Sequence, residues 1–508
     1  MQSACRLAQR LLCAIAAVQL LAGCAAVGPD FEKPEVEVPA DWSQAPDAGL
    51  AVSPHELVAW WRVFDDPVLN DLVDTARREN NAIAIAGLRV LEAQAQLGIA
   101  TGLKYPQVQV AAGNATYISP PASSVIPSNY WDFGLGASAS WEVDFWGRFR
   151  RGIESADAAF MASIAAYDQA QVLLTAAVVN VYNAVRSFEE QLRISRENVA
   201  IQQRSFEIAE VLWRNGADSE LDMQQARTLL LSTQATIPGL EVALVQARNA
   251  LSTLLNQAPG TVTAQLAKAS GIPHIPGDIA VGVPADMLRR RPDVRQAESL
   301  AMAQNALIGL AKADLYPSFS LSGSIGVRSN TIGDSDFGDL FDPDAIAWSV
   351  GPSFVWPFLN YGRIKNNVRV QDARLQQALV NYRETVLQAA REAEDAMARF
   401  IGTRQQNDML SQTVASAVRS NELATLRYSE GFSDYERVLN AQQALFNQQL
   451  RYVSNQGDIV SSLVALYKAL GGGWEHRDGL PYVDPETLDV MQTRTDWGDL
   501  IDDYYPED

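Results

Sequence analysis

The feature that most constrains the fold of this chain is an internal repeat. Trp141–Arg148 reads Trp-Glu-Val-Asp-Phe-Trp-Gly-Arg, and Trp356–Arg363, 215 residues later, reads Trp-Pro-Phe-Leu-Asn-Tyr-Gly-Arg. The same separation relates Trp213–Gly216 to Tyr428–Gly431. A register that holds for more than 110 residues predicts a tandem duplication, so any fold assigned to the chain has to occur twice within its 508 residues.

Each repeat begins with two segments in which apolar residues alternate with small or polar ones. The clearest runs from Trp131 to Phe145, where every odd position is apolar, and residues 348–358 repeat it. Val108–Tyr117 and Phe319–Val327 precede these segments. The alternation predicts strands with one apolar face, and aromatic residues near the strand ends favour an outer-membrane barrel. A soluble sandwich with its apolar face turned to a core is the alternative.

Each repeat continues as a long helical hairpin. Between Leu375 and Phe400 apolar residues recur at alternating four- and three-residue spacing, which is typical of coiled-coil packing. Gly216 and Gly431 are expected to end the outgoing helices, and a returning helix should follow each. Pro238 should kink the first of the returning helices.

The strand count predicts an oligomer. Since no run of 18 or more apolar residues follows the first 24, we expect no transmembrane helix and expect strands to make any membrane crossing. Four strands cannot close a barrel, and open strand edges are not tolerated in lipid. The chain should therefore be at least a dimer with cyclic symmetry.

The first 24 residues are typical of an export signal. Arg6 and Arg10 precede a mostly apolar stretch, Leu11–Leu20, and small residues lead to Cys24. The Leu-Ala-Gly-Cys ending resembles a bacterial lipobox, which implies cleavage before Cys24 and an N-acyl group and an S-diacylglycerol lipid on that residue. Ala25 after the cysteine favours the outer membrane by the same resemblance. An ordinary signal peptide with a chance cysteine is the alternative.

Composition argues against several classes of function. With 60 acidic and 40 basic residues, a net charge of −20 is unsuited to a nucleic-acid partner. The three histidines, His55, His274 and His476, are far apart in the sequence, and no CxxC or HxxxH spacing occurs. No glycine-rich phosphate loop is present either. We therefore expect no enzyme activity, no metal site and no cofactor other than the lipid on Cys24.

A resemblance to a known family enters at residues 283–295, which read Val-Pro-Ala-Asp-Met-Leu-Arg-Arg-Arg-Pro-Asp-Val-Arg. This segment closely resembles the signature of the outer-membrane factors of tripartite efflux systems, the TolC/OprM-like family, in its lipoprotein branch. Trp60-Trp61, Phe64–Leu69 and the duplication agree with it. The resemblance implies an α+β membrane protein: a homotrimer with a 12-stranded β-barrel, four strands per chain, continued by a long periplasmic α-helical barrel. It also implies docking to a periplasmic adaptor (membrane fusion protein) linked to an inner-membrane pump.

The resemblance also implies a gate at the periplasmic tips of the helices. Tyr428 matches the family's gate tyrosine, whereas Glu436, Asn440 and Gln443 stand where the family commonly has Leu, Asp and Arg. An Asp–Arg contact cannot form from Asn440 and Gln443, so closure is expected to differ from that of the family and to involve Glu436, Arg437 and Asn440. The predicted gate residues are Tyr428, Glu436, Arg437, Asn440, Gln443, Asp218, Asp222 and Asp434, and the adaptor is expected to dock near Gly216 and Gly431. Ordinary solvated tip residues are the alternative interpretation.

These patterns together predict the domain organisation. The predicted segments are a lipoprotein signal peptide (1–23), an N-terminal arm with the first periplasmic helices (24–104), strands 1–2 of the barrel (105–146), the first long hairpin (147–270), a junction and helix of the second repeat (271–314), strands 3–4 (315–358), the second long hairpin (359–473) and an acidic C-terminal tail (474–508).

Three functions fit this organisation. The first is an outer-membrane channel of a tripartite, RND-type efflux system, a passive exit duct for drugs or other small molecules. The second is the outer-membrane duct of a polypeptide-secretion or metal-efflux system. The third is a lipid-anchored periplasmic coiled-coil scaffold whose strands form a soluble domain.

Overall fold

The computed structural model describes residues 26–38, 42, 50–51, 57–121, 123, 129–269, 271–273, 279–280, 288–332, 336–475 and 481–502. The chain forms two compact units. A strand unit contains residues 1–35, 90–163 and 296–382, and a hairpin unit contains residues 36–89, 164–295 and 383–508. The predicted signal peptide, Cys24 and all three histidines lie outside the described residues.

The described elements repeat in the order that the duplication predicts. The strands are β1 (Leu50–Ala51), β2 (Val108–Ile118), β3 (Tyr130–Val143), β4 (Ile279–Ala280), β5 (Ser318–Asn330) and β6 (Ile346–Val355). The helices are α1 (Pro67–Glu79), α2 (Asn81–Gly102), α3 (Arg148–Arg214), α4 (Glu220–Leu254), α5 (Thr263–Leu266), α6 (Pro292–Ala313), α7 (Arg363–Ser429), α8 (Tyr435–Ala469), α9 (Pro485–Arg494) and α10 (Asp499–Asp502). Short 3-10 turns occur at Trp60–Phe64, Gly338–Phe341 and Pro343–Ala345.

The strand unit is built on one antiparallel sheet with the order β2-β3-β5-β6. On one face lie apolar side chains that pair across strands, such as Ala137 opposite Ile325 and Ile325 opposite Trp348. On the other face lie small polar ones, and the Ser140 and Ser322 hydroxyls meet at 3.1 Å. The alternation predicted from the sequence therefore sorts the sheet into an apolar and a polar face.

Strand β2 departs from a simple alternation. Val108 and Val110 lie opposite Ser140 and Ser138, which places both valines on the polar face of the sheet. The pattern on this strand is weak because its central residues are mostly alanine and glycine. A polar contact is present on that face, where the Asn114 amide donates to the Asp132 carboxylate at 3.1 Å.

The N-terminal arm of the strand unit, residues 26–35, packs against the turn between β3 and α3. The Val27 amide donates to the Trp146 carbonyl at 2.9 Å. Arg151 donates to the carbonyl of Val27 and to the carboxylate of Asp30, the latter at 2.8 Å. A Cβ at Gly147 would lie 2.4 Å from the Cβ of Ala26, so only glycine permits this approach. The arm is thus held against the turn that follows β3.

In the hairpin unit, α3 packs along α8 through apolar clusters and polar contacts. Ile194 of α3 packs against Phe446 and Val453 of α8. The Gln442 amide donates to the Ser205 hydroxyl at 2.6 Å, and the Asn198 amide donates to Gln449 at 2.7 Å. Buried polar groups that pair in this way fix one register between two long helices, because any slip leaves them unsatisfied.

The returning helix α4 runs without a break from Glu220 to Leu254 and has Pro238 inside it. The sequence predicts a kink at this proline, and the proline does not end the helix. Most side chains of this part of α4 are exposed, so water can satisfy the carbonyl group that the missing N–H of proline leaves free.

The arginines of the signature segment close the junction between the repeats. Buried Arg291 donates through two nitrogens to Asp293, to the Glu392 carboxylate at 2.8 Å and to the Ala469 carbonyl at 2.7 Å. Burial opposes the charge of Arg291, but the two carboxylates outweigh it and raise the pKa of the guanidinium. The signature arginine thus ties α6, α7 and the end of α8 together, which is a structural role.

The acidic C-terminal segment packs against the hairpin unit over its described residues. The Tyr482 ring meets the Tyr167 ring edge-on at 5.1 Å, and Leu488 and Ile501 are buried. A Cβ at Gly87 would lie 1.9 Å from the Tyr482 carbonyl oxygen, so glycine is required there. Part of the acidic C-terminal tail, residues 481–502, is therefore packed, because a few apolar side chains of an otherwise acidic segment are buried.

Within the part of the chain that the structure describes, three helices are long and apolar enough, by length and composition alone, to cross a membrane: Asn81–Gly102, Arg148–Arg214 and Glu220–Leu254. The sequence contained no unbroken apolar run of that length. The difference arises because alanine supplies much of the apolar content of these helices, interspersed with polar residues.

Candidate functional site

The candidate site lies at the tips of the two hairpins, where the same backbone turn occurs twice. Gly216 and Gly431 have φ values of +69° and +78°, a conformation that favours glycine. The Ala217 amide donates to the Leu212 carbonyl and the Phe432 amide to the Arg427 carbonyl, both at 2.8 Å. Each outgoing helix therefore ends in a Schellman-type turn, which explains why both repeats have glycine at this position.

A hydrogen bond joins the two tips. The Tyr428 hydroxyl at the end of α7 donates to Oδ2 of Asp218 at 2.5 Å, and Oδ1 of Asp218 accepts from the Ser219 amide at 2.8 Å. We call the Tyr428–Asp218 hydrogen bond the latch. Tyr428 is only 8% exposed, and its ring meets that of Tyr435 at 5.3 Å. Two of the predicted gate residues, 210 positions apart, are thus brought together.

A second carboxylate supports the latch from the first turn of α4. Ser219 is the N-cap of this helix, and its hydroxyl donates to the Asp222 carboxylate at 2.7 Å while accepting from the Asp222 amide at 3.2 Å. This is a capping arrangement with an aspartate at the third helical position. It holds Asp222 close to Asp218.

The surroundings shift the pKa values of Asp218 and Asp222 in opposite directions. Burial opposes ionisation of Asp218, but hydrogen bonds from Tyr428, Asp222 and the Ser219 amide outweigh it and lower its pKa. Burial and the nearby Asp218 charge raise the pKa of Asp222. Burial and then the Asp218 carboxylate raise the pKa of Tyr428 above its ordinary value, and burial raises that of Tyr435 to about 12. At neutral pH the latch thus joins a neutral phenol to an ionised carboxylate.

The other predicted gate residues do not join the latch. Among the described residues, no hydrogen bond or ion pair is formed by the side chains of Glu436, Arg437, Asn440 or Gln443, and all four are exposed. Asp434 is the N-cap of α8 but makes no side-chain capping bond. The structure thus brings together Tyr428, Asp218 and Asp222, and leaves the α8 residues free at the surface of the chain.

Sequence reasoning missed three features of the tips. Ser219 links the two aspartates, and its signal was the Ser-x-x-Asp spacing of a helix start. Tyr435 packs under the latch tyrosine, but a tyrosine in an amphipathic helix has no distinguishing pattern. Leu221 and Phe432 are 65% and 71% exposed beside the turns, which no local pattern revealed.

The described residues contain no group of three or more His, Cys, Asp or Glu side chains arranged to hold a metal ion. The tips have two neighbouring aspartates, Asp218 and Asp222, and each accepts hydrogen bonds from hydroxyl or amide donors. The geometry shows two hairpin tips joined by hydrogen bonds.

Comparisons with known proteins agree with this architecture. The sequence pattern of the family described as outer membrane efflux protein matches residues 72–257 and 283–472. Nodulation protein T of Rhizobium leguminosarum bv. viciae is 32% identical over 91% of this chain and 93% of its own length. Cation efflux system protein CusC of Escherichia coli O6:H1 is 30% identical over 90% of this chain and 97% of its own. A solved structure of the outer-membrane channel OprN superposes with a TM-score of 0.83 at 31% identity, over 89% of this chain and 100% of that one.

Proposed function

Because the chain belongs to the outer membrane efflux protein family and is an outer-membrane channel of an efflux system, we propose that three copies close a 12-stranded barrel that leads into a periplasmic helical tunnel. The four-stranded sheet carries this proposal. The edge strands β2 and β6, of 11 and 10 residues, have no strand paired on their outer sides among the described residues. Open edges are not tolerated in lipid, and identical chains close them by cyclic symmetry.

In this proposal the chain is a passive exit duct and not an enzyme. The tips dock to a periplasmic adaptor, which links them to an RND-type pump in the inner membrane. The exposed Leu221 and Phe432 beside Gly216 and Gly431 support docking there, since exposed apolar groups are typical of interaction surfaces. The pump supplies the energy, and drugs or other small molecules pass through.

The latch holds the resting tunnel closed. It joins the first hairpin of a chain to its second, and in the trimer the exposed Glu436, Arg437, Asn440 and Gln443 are free to contact the neighbouring subunit. The carboxylates of the tips, Asp218, Glu220, Asp222, Glu430, Asp434 and Glu436, form an acidic ring that attracts cations. If the Glu436→Ala variant kept the leak conductance and ion selectivity of the parent, the acidic ring would be wrong.

A lipid on Cys24 anchors the chain beside the barrel. Ala26 lies against Gly147, in the turn between β3 and α3. Two residues of chain reach about 7 Å, so acyl groups attached at Cys24 would start at the periplasmic end of the strands. The anchor and the strands would then enter the same membrane surface. Mass spectrometry of the mature N-terminal peptide tests this directly, and an unmodified thiol at Cys24 would exclude the anchor.

The first test of the function combines mass and conductance. Light scattering with detergent correction should give three chains per particle, and the same particle in a planar bilayer should conduct ions with a small resting leak. A monomer that is stable without detergent would instead support the periplasmic scaffold.

A second candidate cargo is a metal cation, and the similarity to cation efflux system protein CusC favours it. The two cargoes are separated by deletion of the gene for this chain. Loss of tolerance to metal salts with unchanged drug tolerance would select the metal cation, and the opposite result would select drugs.

A further inference from the structure

The turn that follows β6 shows an unusual combination of strain and exposure. Tyr361 adopts φ of +49°, a left-handed conformation that is uncommon for a bulky residue. Its side chain is 98% exposed, and among the described residues it has no ring contact and no hydrogen bond. The backbone of the turn is held within the chain, because the Arg363 amide donates to the Asn360 carbonyl at 2.9 Å, but the Tyr361 ring packs on nothing among the described residues.

The equivalent turn of the first repeat shows what such a residue contacts. Trp146, 215 positions before Tyr361, stacks on the ring of Tyr316 with centroids 4.6 Å apart and an interplanar angle of 23°. Its indole N–H donates to the Pro317 carbonyl at 2.8 Å. The turn after β3 is thus docked on the Tyr-Pro pair that precedes β5, the neighbouring strand.

The duplication identifies the missing partner of Tyr361. The Tyr-Pro pair of the first repeat is Tyr105-Pro106, 211 positions before Tyr316-Pro317. Tyr105 is itself 69% exposed and precedes β2. Because β2 and β6 are opposite edges of the sheet, Tyr361 and Tyr105 lie at opposite edges of one chain. Their contact therefore has to be made between chains.

We propose that the turn 360–362 of one subunit docks on Tyr105-Pro106 of the next, with the Tyr361 ring stacked on the partner subunit's Tyr105. The pairing of β6 with the neighbouring β2 then reproduces the pairing of β3 with β5. This inference rests on the proposed trimer and adds the contact that aligns its subunits. Exposed Trp356 and Phe358, whose ring centroids are 6.0 Å apart, precede the turn and add to the apolar surface that the neighbour covers.

Cysteine cross-linking tests the contact. The double variant Tyr105→Cys/Tyr361→Cys, treated in membranes with a short bifunctional thiol reagent, should give bands of two and three linked chains on a denaturing gel. Cys24 is the one other cysteine of the predicted mature chain, so the untreated parent and both single variants measure the background. The matched control is Tyr117→Cys/Tyr361→Cys. Tyr117 lies near the far end of β2, about 30 Å along the strand from its first residue, so this pair should give no ladder of linked chains.

A second pair of variants keeps the inference testable if the cysteines impair assembly. Tyr361→Gly relieves the strain but removes the ring, whereas Tyr361→Phe keeps the ring. With the stack present, Tyr361→Gly should lower the temperature at which the oligomer dissociates and Tyr361→Phe should leave it within a few degrees. If Tyr361→Gly raises that temperature, the ring has no partner and the inference is wrong.

The two levels of the proposal fail differently. A particle with the mass of three chains that gives no ladder with Tyr105→Cys/Tyr361→Cys overturns the contact and leaves the channel intact. A particle with the mass of one chain overturns both.

Discussion

The two hairpin tips have the same backbone and opposite chemistry. The outgoing helices α3 and α7 each have 67 residues, the returning helices α4 and α8 each have 35, and both turns use a glycine with positive φ. Yet the first tip supplies acceptors, Asp218 and Asp222, and the second supplies the donor Tyr428. The two repeats thus share the backbone geometry of the helix end but differ in side chains, so that a donor on the second tip pairs with an acceptor on the first.

This difference explains why a chain has a latch with its donor on the second tip and its acceptor on the first, and no equivalent bond with the roles exchanged among the described residues. The position of Tyr428 in the second tip is held by Trp213 in the first, and that of Asp218 is held by Ser433 in the second. Trp213 is 37% exposed, whereas Tyr428 is buried and bonded. A symmetric pair of tips would have two equivalent hydrogen bonds per chain, whereas the described tips have one, between Tyr428 and Asp218.

The largest expected effect comes from removing the donor. Tyr428→Phe keeps the ring packed on Tyr435 but loses a hydrogen bond to a charged group, worth about 1.5–3 kcal/mol. Since about 1.4 kcal/mol is a factor of ten, the resting leak in planar bilayers should rise about tenfold or more. Asp218→Ala should have a similar effect.

The matched control is Trp213→Phe, at the equivalent position of the first tip. It should leave the leak near that of the parent, because Trp213 has no latch partner in its chain. Equal leaks for Tyr428→Phe and Trp213→Phe would show that the two tips are functionally alike and would contradict the latch.

The second prediction concerns pH. The lowered pKa of Asp218 means that its contribution is present above about pH 4, the ordinary value, and is lost as pH falls through the folded pKa. The raised pKa of Tyr428 means that its contribution is complete below about pH 10 and is lost as pH rises through a still higher value. Asp222, with a raised pKa, contributes in the opposite sense to Asp218 and reduces the acid effect.

The leak should therefore be flat from about pH 6 to pH 9 and rise in acid below about pH 4. Conductance recorded over this range in parent and Asp218→Asn channels checks it. The acid rise should be absent from Asp218→Asn, whose leak is already high at neutral pH. An acid rise of equal size in both would assign it to other groups.

Whether the sequence could predict a feature depends on how far apart along the chain the interacting residues lie. The αL glycines, the long helices and the alternating strands depend on neighbours along the chain, and the sequence predicted them correctly. Tyr428 and Asp218 were both identified, but not their bond, because it depends on how α3 packs along α8. That register is set by buried pairs such as Ser205–Gln442.

Two features that the sequence pattern did not reveal have the same physical origin. The composition of residues 474–508 predicts only an acidic tail, and it does not reveal that Tyr482 and Leu488 pack the described part on a surface made by remote residues. The face of Val108 on β2 depends on its pairing with Ser140, which a strand of small residues does not reveal. The average composition of a segment does not predict its packing when a few side chains make the decisive contacts.

The third prediction uses the feature that the tips share. Gly216→Ala and Gly431→Ala each place a Cβ in the left-handed conformation, at a cost of about 1–2 kcal/mol. A Cβ at either position meets nothing within 4 Å, so strain is the only cost and should be equal in the two tips. Hydrogen exchange of the last helical turn should rise to a similar extent in both variants. A much larger effect in one of them would show a contact that the other lacks.

The smallest expected effect concerns the first turns of the two returning helices, α4 and α8, which are capped differently. Ser219 caps α4 through its hydroxyl, whereas Asp434 at the start of α8 makes no side-chain capping bond. Ser219→Ala should therefore weaken the first turn of α4 by about 1 kcal/mol, while Asp434→Ala should change α8 by a few tenths at most. Amide exchange in the two first turns measures both.

Ser219→Ala should also raise the leak slightly, because the serine holds Asp222 beside Asp218 and its own amide donates to Asp218 from a backbone that the cap fixes. Ser219→Thr keeps the hydroxyl and should restore both readouts. If the exchange rate rose in Ser219→Ala with no change in leak, the cap would stabilise the helix alone. The asymmetry between the tips would then reside entirely in the hydrogen bond between Tyr428 and Asp218.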